Sequence, residues 1–150
     1  MYIAMRHRLA SDSDLYVPNP VRMAGGISLD GAVDMVRRLA DGPSVQGTFD
    51  ELFGTGPADV IARRMQDASP RYHLPLGIPQ AIVQGNPGGT PWYGCCGTPE
   101  YVAEATALGD SIEYIIIDGA GHFESSDPTN PTAGPAVRRL VRSMLGLTMQ

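Results

Sequence analysis

One histidine stands out by its setting. His122 closes the run Asp118-Gly119-Ala120-Gly121 and is followed by Phe123. Imidazole is the side chain whose ordinary proton affinity lies near neutral pH, so a positioned histidine can move protons in catalysis. Gly119 and Gly121 allow a sharp backbone turn that would hold the ring in place. A histidine in a loop is also commonly just a solvated or hydrogen-bonded side chain, and the residue type alone leaves both readings open. The two cysteines, Cys95 and Cys96, are neighbours. A disulfide between neighbours strains the peptide, and no further cysteine or close histidine gives metal-ligand spacing. They are expected to be reduced thiols in a loop, and no metal or cofactor is expected.

The elements that would position His122 are legible from apolar spacing. Ile112-Glu113-Tyr114-Ile115-Ile116-Ile117 predicts a strand, and Asp118–Phe123 the turn after it. Pro79–Gln84 predicts a second apolar strand, followed by the loop Gly85-Asn86-Pro87-Gly88-Gly89-Thr90-Pro91. Residues 21–29 predict a third, with a glycine-rich middle. Between and after them come helices. Residues 30–39 carry Ala32, Val33, Met35, Val36 and Leu39 at helical spacing. Phe49, Leu52 and Phe53 predict a short helical turn ending near Gly54. Pro57 opens a helix that ends before Ser69-Pro70. A Thr98 cap with Pro99 at the first position starts a helix over 99–109 that Gly109 stops. A last helix covers 132–145, and residues 1–9 predict a helical turn or two. Alternating strands and helices imply a three-stranded parallel sheet flanked by helices. The 79–84 strand is expected in the middle. In such sheets ligands bind beyond the carboxyl ends of the strands, which is where 85–97 and 118–128 fall.

The bulk composition sets bounds. The chain has 150 residues, 43% of them hydrophobic, which suits a single domain, 1–150, with one core. The net charge is -5, and all 11 basic residues are arginine. Nucleic acid or an acidic membrane surface would need clustered positive charge, so neither is an expected partner. No apolar run approaches the roughly 18 residues of a membrane span. The N-terminus is too short and too basic for a signal peptide, so the expected location is the cytoplasm.

In order along the chain, these segments resemble the C-terminal half of an α/β-hydrolase, closest to esterase- and peptidase-like members. The resemblance is carried by Gly77-Ile78-Pro79-Gln80-Ala81-Ile82-Val83-Gln84-Gly85, then Thr90-Pro91, then a helix ending Leu108-Gly109-Asp110, then Ile115 through Phe123. Upstream, Gly25–Met35 is similar to the sixth strand of that fold and its following turn, and Ala68-Ser69-Pro70 to the segment leading into the seventh. The resemblance implies a partial α/β-hydrolase fold and, in the complete enzyme, a serine hydrolase of carboxylic esters or related acyl substrates.

The resemblance makes His122 the general base, which takes the proton of the nucleophilic serine and returns it to the leaving group. It places the acid in the loop after the seventh strand, but Gly88 stands where the aspartate is expected. Asp30 or Asp34 is then the candidate replacement, because some members carry the acid after the sixth strand; the plain alternative is that both are helix-start carboxylates favoured by the dipole. The nucleophile elbow, Gly-x-Ser-x-Gly, is missing. The nearest string is Gly26-Ile27-Ser28-Leu29-Asp30-Gly31, with Asp30 in a position that calls for a small residue and Gly31 one place late. Ser28 is therefore a poor but nameable candidate nucleophile. Met1–Leu9 resembles the interior of the helix that follows the elbow.

Three readings result. The chain is the base-bearing part of a serine hydrolase and has little activity alone; or it is a non-catalytic α/β binding or interaction module; or it is a minimal hydrolase using Ser28, His122 and Asp30 or Asp34. The expected partners are a small acyl substrate, if active, and further copies of the chain, because the 21–29 strand would be an unguarded sheet edge.

Overall fold

The computed structural model describes residues 2–41, 46–88 and 97–147. Three strands form one sheet in the order β1 (Gly26–Leu29), β2 (Gln80–Asn86) and β3 (Ile112–Asp118). Both pairings are parallel. Gly26 lies opposite Gln80 and Leu29 opposite Val83; Gln80 lies opposite Ile112 and Asn86 opposite Asp118. The parallel pairing and the middle place of β2 are as expected.

Between β1 and β2 come α1 (Met35–Asp41), α2 (Gln46–Phe53) and α3 (Ala58–Ala68). Between β2 and β3 comes α4 (Thr98–Ala107), and α5 (Ala133–Met144) follows β3. Short 3-10 helices cover Tyr2–Arg8 and Pro70–His73.

Side chains alternate across a strand, and β2 shows what each face meets. Ala81 and Val83 join Ile117, Ala120, Ala133 and Leu140 in a core under α5, flanked by Ile27, Leu29 and Ile115. Ile82 turns the other way and packs with Val33 and Tyr101 of α4, flanked by Ile112 and Tyr114. The central strand is buried on both faces, as a parallel strand must be. A further cluster, Phe49, Phe53 and Met65 with Met35, Val36 and Leu39 around them, ties α1, α2 and α3 together.

Several expected boundaries move. β2 runs on to Asn86, so Gly85 and Asn86, expected in the loop, belong to the strand. The first strand covers 26–29, not 21–29. Its partner begins at Gln80, and Pro79 just before it has no N–H to give a ladder. Gly26 N–H donates to Pro79 O at 2.9 Å, and nothing further upstream continues the pairing. Val21 is accordingly 80% exposed. The first helix starts at Met35, not at Asp30, because Asp30 has φ 49, in the left-handed region that breaks a helix. Helix α4 is preceded by Gly97 at φ 67 as its cap, with Thr98 already inside; the Thr98 side chain makes no capping bond.

Candidate functional site

The candidate site lies beyond the carboxyl ends of the three strands. At the end of β3 the chain turns at Gly119, φ 76, whose N–H donates to Asn86 O at 2.8 Å. That bond ties the turn to the end of β2. Gly85 then decides how closely the following loop can approach. A Cβ there would lie 2.5 Å from Ala120 O and 2.6 Å from Gly121 O, so only glycine lets the His122 loop rest on β2. His122 thus stands beyond the end of the last strand, and its ring meets the Phe123 ring at 4.9 Å between centroids, tilted by 55°.

Asp30 sits directly after β1 and is only 3% exposed. Aspartate tolerates the left-handed backbone it adopts there better than most residues do. A buried carboxylate is stable only if hydrogen-bonded. Both Asp30 oxygens accept from Gly85 N–H, at 3.0 and 3.2 Å, and Oδ2 accepts from the Ser125 hydroxyl. Ser125 Oγ also lies 3.0 Å from His122 O. Asp30 therefore joins the end of β1, the end of β2 and the loop that carries His122. Tyr114 belongs to the same neighbourhood: its hydroxyl donates to Gln84 Oε1, and burial, with the Asp30 charge as a second cause, pushes its phenol above the usual range.

Asp34 is placed apart from this rim. It is also buried, at 5% exposure, but Oδ1 accepts from Arg37 N–H at 2.9 Å, which caps α1. Oδ2 lies 3.4 Å from Arg71 Nη1. Of the two carboxylates, Asp34 is the helix-start residue and Asp30 the one beside the His122 loop. Ser28 is inside β1, opposite Ile82, and its hydroxyl makes a long 3.4 Å bond to Gly31 O. It is thus in the strand itself, whereas an elbow serine stands on the turn after one. Gly88 is exposed and has open space where a Cβ would be. Thr90, Pro91, Cys95 and Cys96 lie outside the described residues.

Ser125 had no part in the reading of the sequence, and no local signal could have singled it out. Ser126 beside it is exposed and bonds only locally, to Phe123 O at 2.9 Å. A second polar knot lies at the other end of the sheet. Asp110 accepts from Leu76 N–H at 2.6 Å, Gly77 N–H at 2.8 Å and Gln80 Nε2 at 2.9 Å, and Tyr101 donates to Gln80 Oε1. Burial, helped by the Asp110 charge, raises the Tyr101 phenol well above its usual range. Its position at the amino ends of β2 and β3, opposite the carboxyl-end rim, makes it a structural knot. Among the described residues no group of three or more His, Cys, Asp or Glu is placed to hold a metal ion, and no helix is long and apolar enough to cross a membrane. Comparison of the chain with protein-family models, with curated proteins and with solved structures gave no match.

Proposed function

We propose that the chain supplies the histidine-bearing part of a serine-hydrolase site of the α/β-hydrolase kind, acting on carboxylic esters or related acyl substrates. The observation that carries this is the joining of Asp30, Gly85 and the His122 loop at one sheet rim through Ser125. In this reading the three strands are the last three of the hydrolase sheet. His122 accepts the proton of a serine hydroxyl as that oxygen attacks the acyl carbon. It then delivers the proton to the departing alcohol. Asp30 is the supporting carboxylate, acting through the loop it anchors. Asp34 caps α1 and takes no part. Reduced Cys95 and Cys96, a cytoplasmic setting and self-association along β1 belong to the same reading.

The chain alone is expected to turn over short p-nitrophenyl esters no faster than a His122→Ala variant. Activity that disappears in both Ser28→Ala and His122→Ala would replace this reading with that of a minimal hydrolase. The direct test is fluorophosphonate labelling of the protein taken from its native source. Label on a Gly-x-Ser-x-Gly peptide, in the same polypeptide or a tightly co-purifying one, is the expected result. Absence of any labelled serine overturns it.

One observation favours a second reading, a non-catalytic binding module. The Asp30 carboxylate is already engaged by Gly85 N–H and Ser125, which is what a purely structural knot would look like. The same labelling experiment separates the two.

A further inference from the structure

A cavity of about 450 Å³ lies away from the His122 rim, between β1 and the α1–α3 helices. That is within the size range of small-molecule sites. Its walls are mostly apolar, with Met35, Leu52, Phe53 and Ala68 among them, and Ser28 also lines it. Two charged residues line it among the described residues, Arg64 and Asp14. An apolar chamber with one charged station suits a ligand with an apolar body and a single charged head. The sign of that head follows from how the two charges are held.

Arg64 is anchored. Its Nη1 donates to Phe53 O at 2.9 Å, which leaves the Nε and Nη2 side of the fork for a carboxylate. Asp14 occupies that side now, with Oδ2 3.2 Å from Nε and 3.1 Å from Nη2. The Asp14 side chain is 71% exposed against 43% for Arg64. Exposed ion pairs are weak, so Asp14 can turn into water at little cost while Arg64 stays on Phe53 O. A guanidinium fork presents two parallel donors that match an incoming carboxylate. An ammonium head would meet the anchored guanidinium and be repelled.

We propose that this cavity binds an amphipathic monocarboxylate of the medium-chain fatty-acid type. The alkyl chain lies against Met35, Leu52, Phe53 and Ala68, and the carboxylate replaces Asp14 on Arg64. No covalent step is involved, and the site does not depend on the chemistry proposed for His122.

Calorimetric titration of the full chain with decanoate and with decyltrimethylammonium, both below their micelle concentrations, tests this. Decanoate is expected to bind one to one, and the cationic amphiphile at least about tenfold more weakly, since a tenfold ratio needs only about 1.4 kcal/mol of head-group discrimination. Arg64→Gln is expected to lose about tenfold in decanoate affinity through the missing charged hydrogen bonds. Asp14→Asn is expected to bind decanoate more tightly, because the competing carboxylate is gone. This gain cannot arise from damage to the fold, and it keeps the test decisive if Arg64→Gln does not fold. His122→Ala is expected to bind decanoate unchanged. Equal binding of the two amphiphiles, no saturable decanoate binding, or an Asp14→Asn variant that binds no better overturns the proposal.

Discussion

Ser125 and Ser126 are identical in type and adjacent in sequence, yet they should differ sharply in what they contribute. Ser125 is fully buried and gives its hydroxyl hydrogen to Asp30, a buried carboxylate. Ser125→Ala leaves that carboxylate with Gly85 N–H as its remaining described donor. Loss of a donor to a buried charged group costs about 1–3 kcal/mol. Ser126 is exposed, and Ser126→Ala should stay within about 0.5 kcal/mol of the parent. Urea unfolding of the two variants in parallel checks this, and equal midpoints would show that the Asp30–Ser125 bond carries no stability. Gly85→Ala belongs to the same scale. The added methyl meets two backbone oxygens, of Ala120 and Gly121, and neither can swing aside as a side chain could. Overpacking of this kind costs about 1–3 kcal/mol. It should also lift the His122 loop off β2, visible as faster hydrogen exchange at Gly119, whose N–H is bonded to Asn86 O.

At the level of elements, the α4 face of the sheet is held partly by polar contacts. Tyr101 on α4 donates to Gln80 at the start of β2, and Gln80 in turn donates to Asp110 beyond the end of α4. Burial raises the Tyr101 phenol, so the folded state keeps the proton more tightly than the unfolded chain does. The unfolded chain loses it near pH 10. Stability from this group is therefore complete below about pH 10 and falls as pH rises beyond that value. Tyr114 on β3 is raised in the same direction, again mainly by burial. Tyr101→Phe should lower stability at pH 7, by about 1–3 kcal/mol for the Gln80 acceptor left buried without its donor. It should also flatten the decline between about pH 10 and pH 11. Thermal melts of the parent and Tyr101→Phe across that range are the measurement. An unchanged alkaline slope would mean that the Tyr101 phenol ionises as easily folded as unfolded.

Taken whole, the molecule has a short sheet with an open side. In the β1–β2 ladder, Gly26 and Asp30 donate to Pro79 O and Val83 O. By the alternation of a strand, Ile27 and Leu29 between them turn their N–H and C=O groups the other way, where the described residues place no further strand. Unpaired strand edges of this kind recruit other chains. The far edge adds apolar surface, since Ile116 on β3 is 44% exposed. The purified chain is expected to form homo-oligomers through the β1 edge. Light scattering over a dilution series should show a mass that falls as the protein is diluted. A constant monomer mass at micromolar concentration would mean that this edge is covered.

The sequence by itself determined the parallel order and nearly every helix, because each rests on local chemistry. Strand and helix periods are read within a few residues, and Pro57 and Gly109 mark their own boundaries. The same local reading placed His122 beyond the end of a strand. It could not separate Asp30 from Asp34. Both are aspartates near one predicted helix start, and only the positive φ at Asp30 and the true start at Met35 divide a rim carboxylate from a helix cap. Nor could it limit β1 to 26–29, since that depends on Pro79, the residue just before the partner strand. Ser125 and Asp30 lie 95 positions apart, and Arg64 and Asp14 lie 50 apart. Contacts across such distances leave no period and no spacing in the chain. They exist only once β1, β2 and the loop after β3 have been brought to one rim, and once α3 has been laid beside the N-terminal turn.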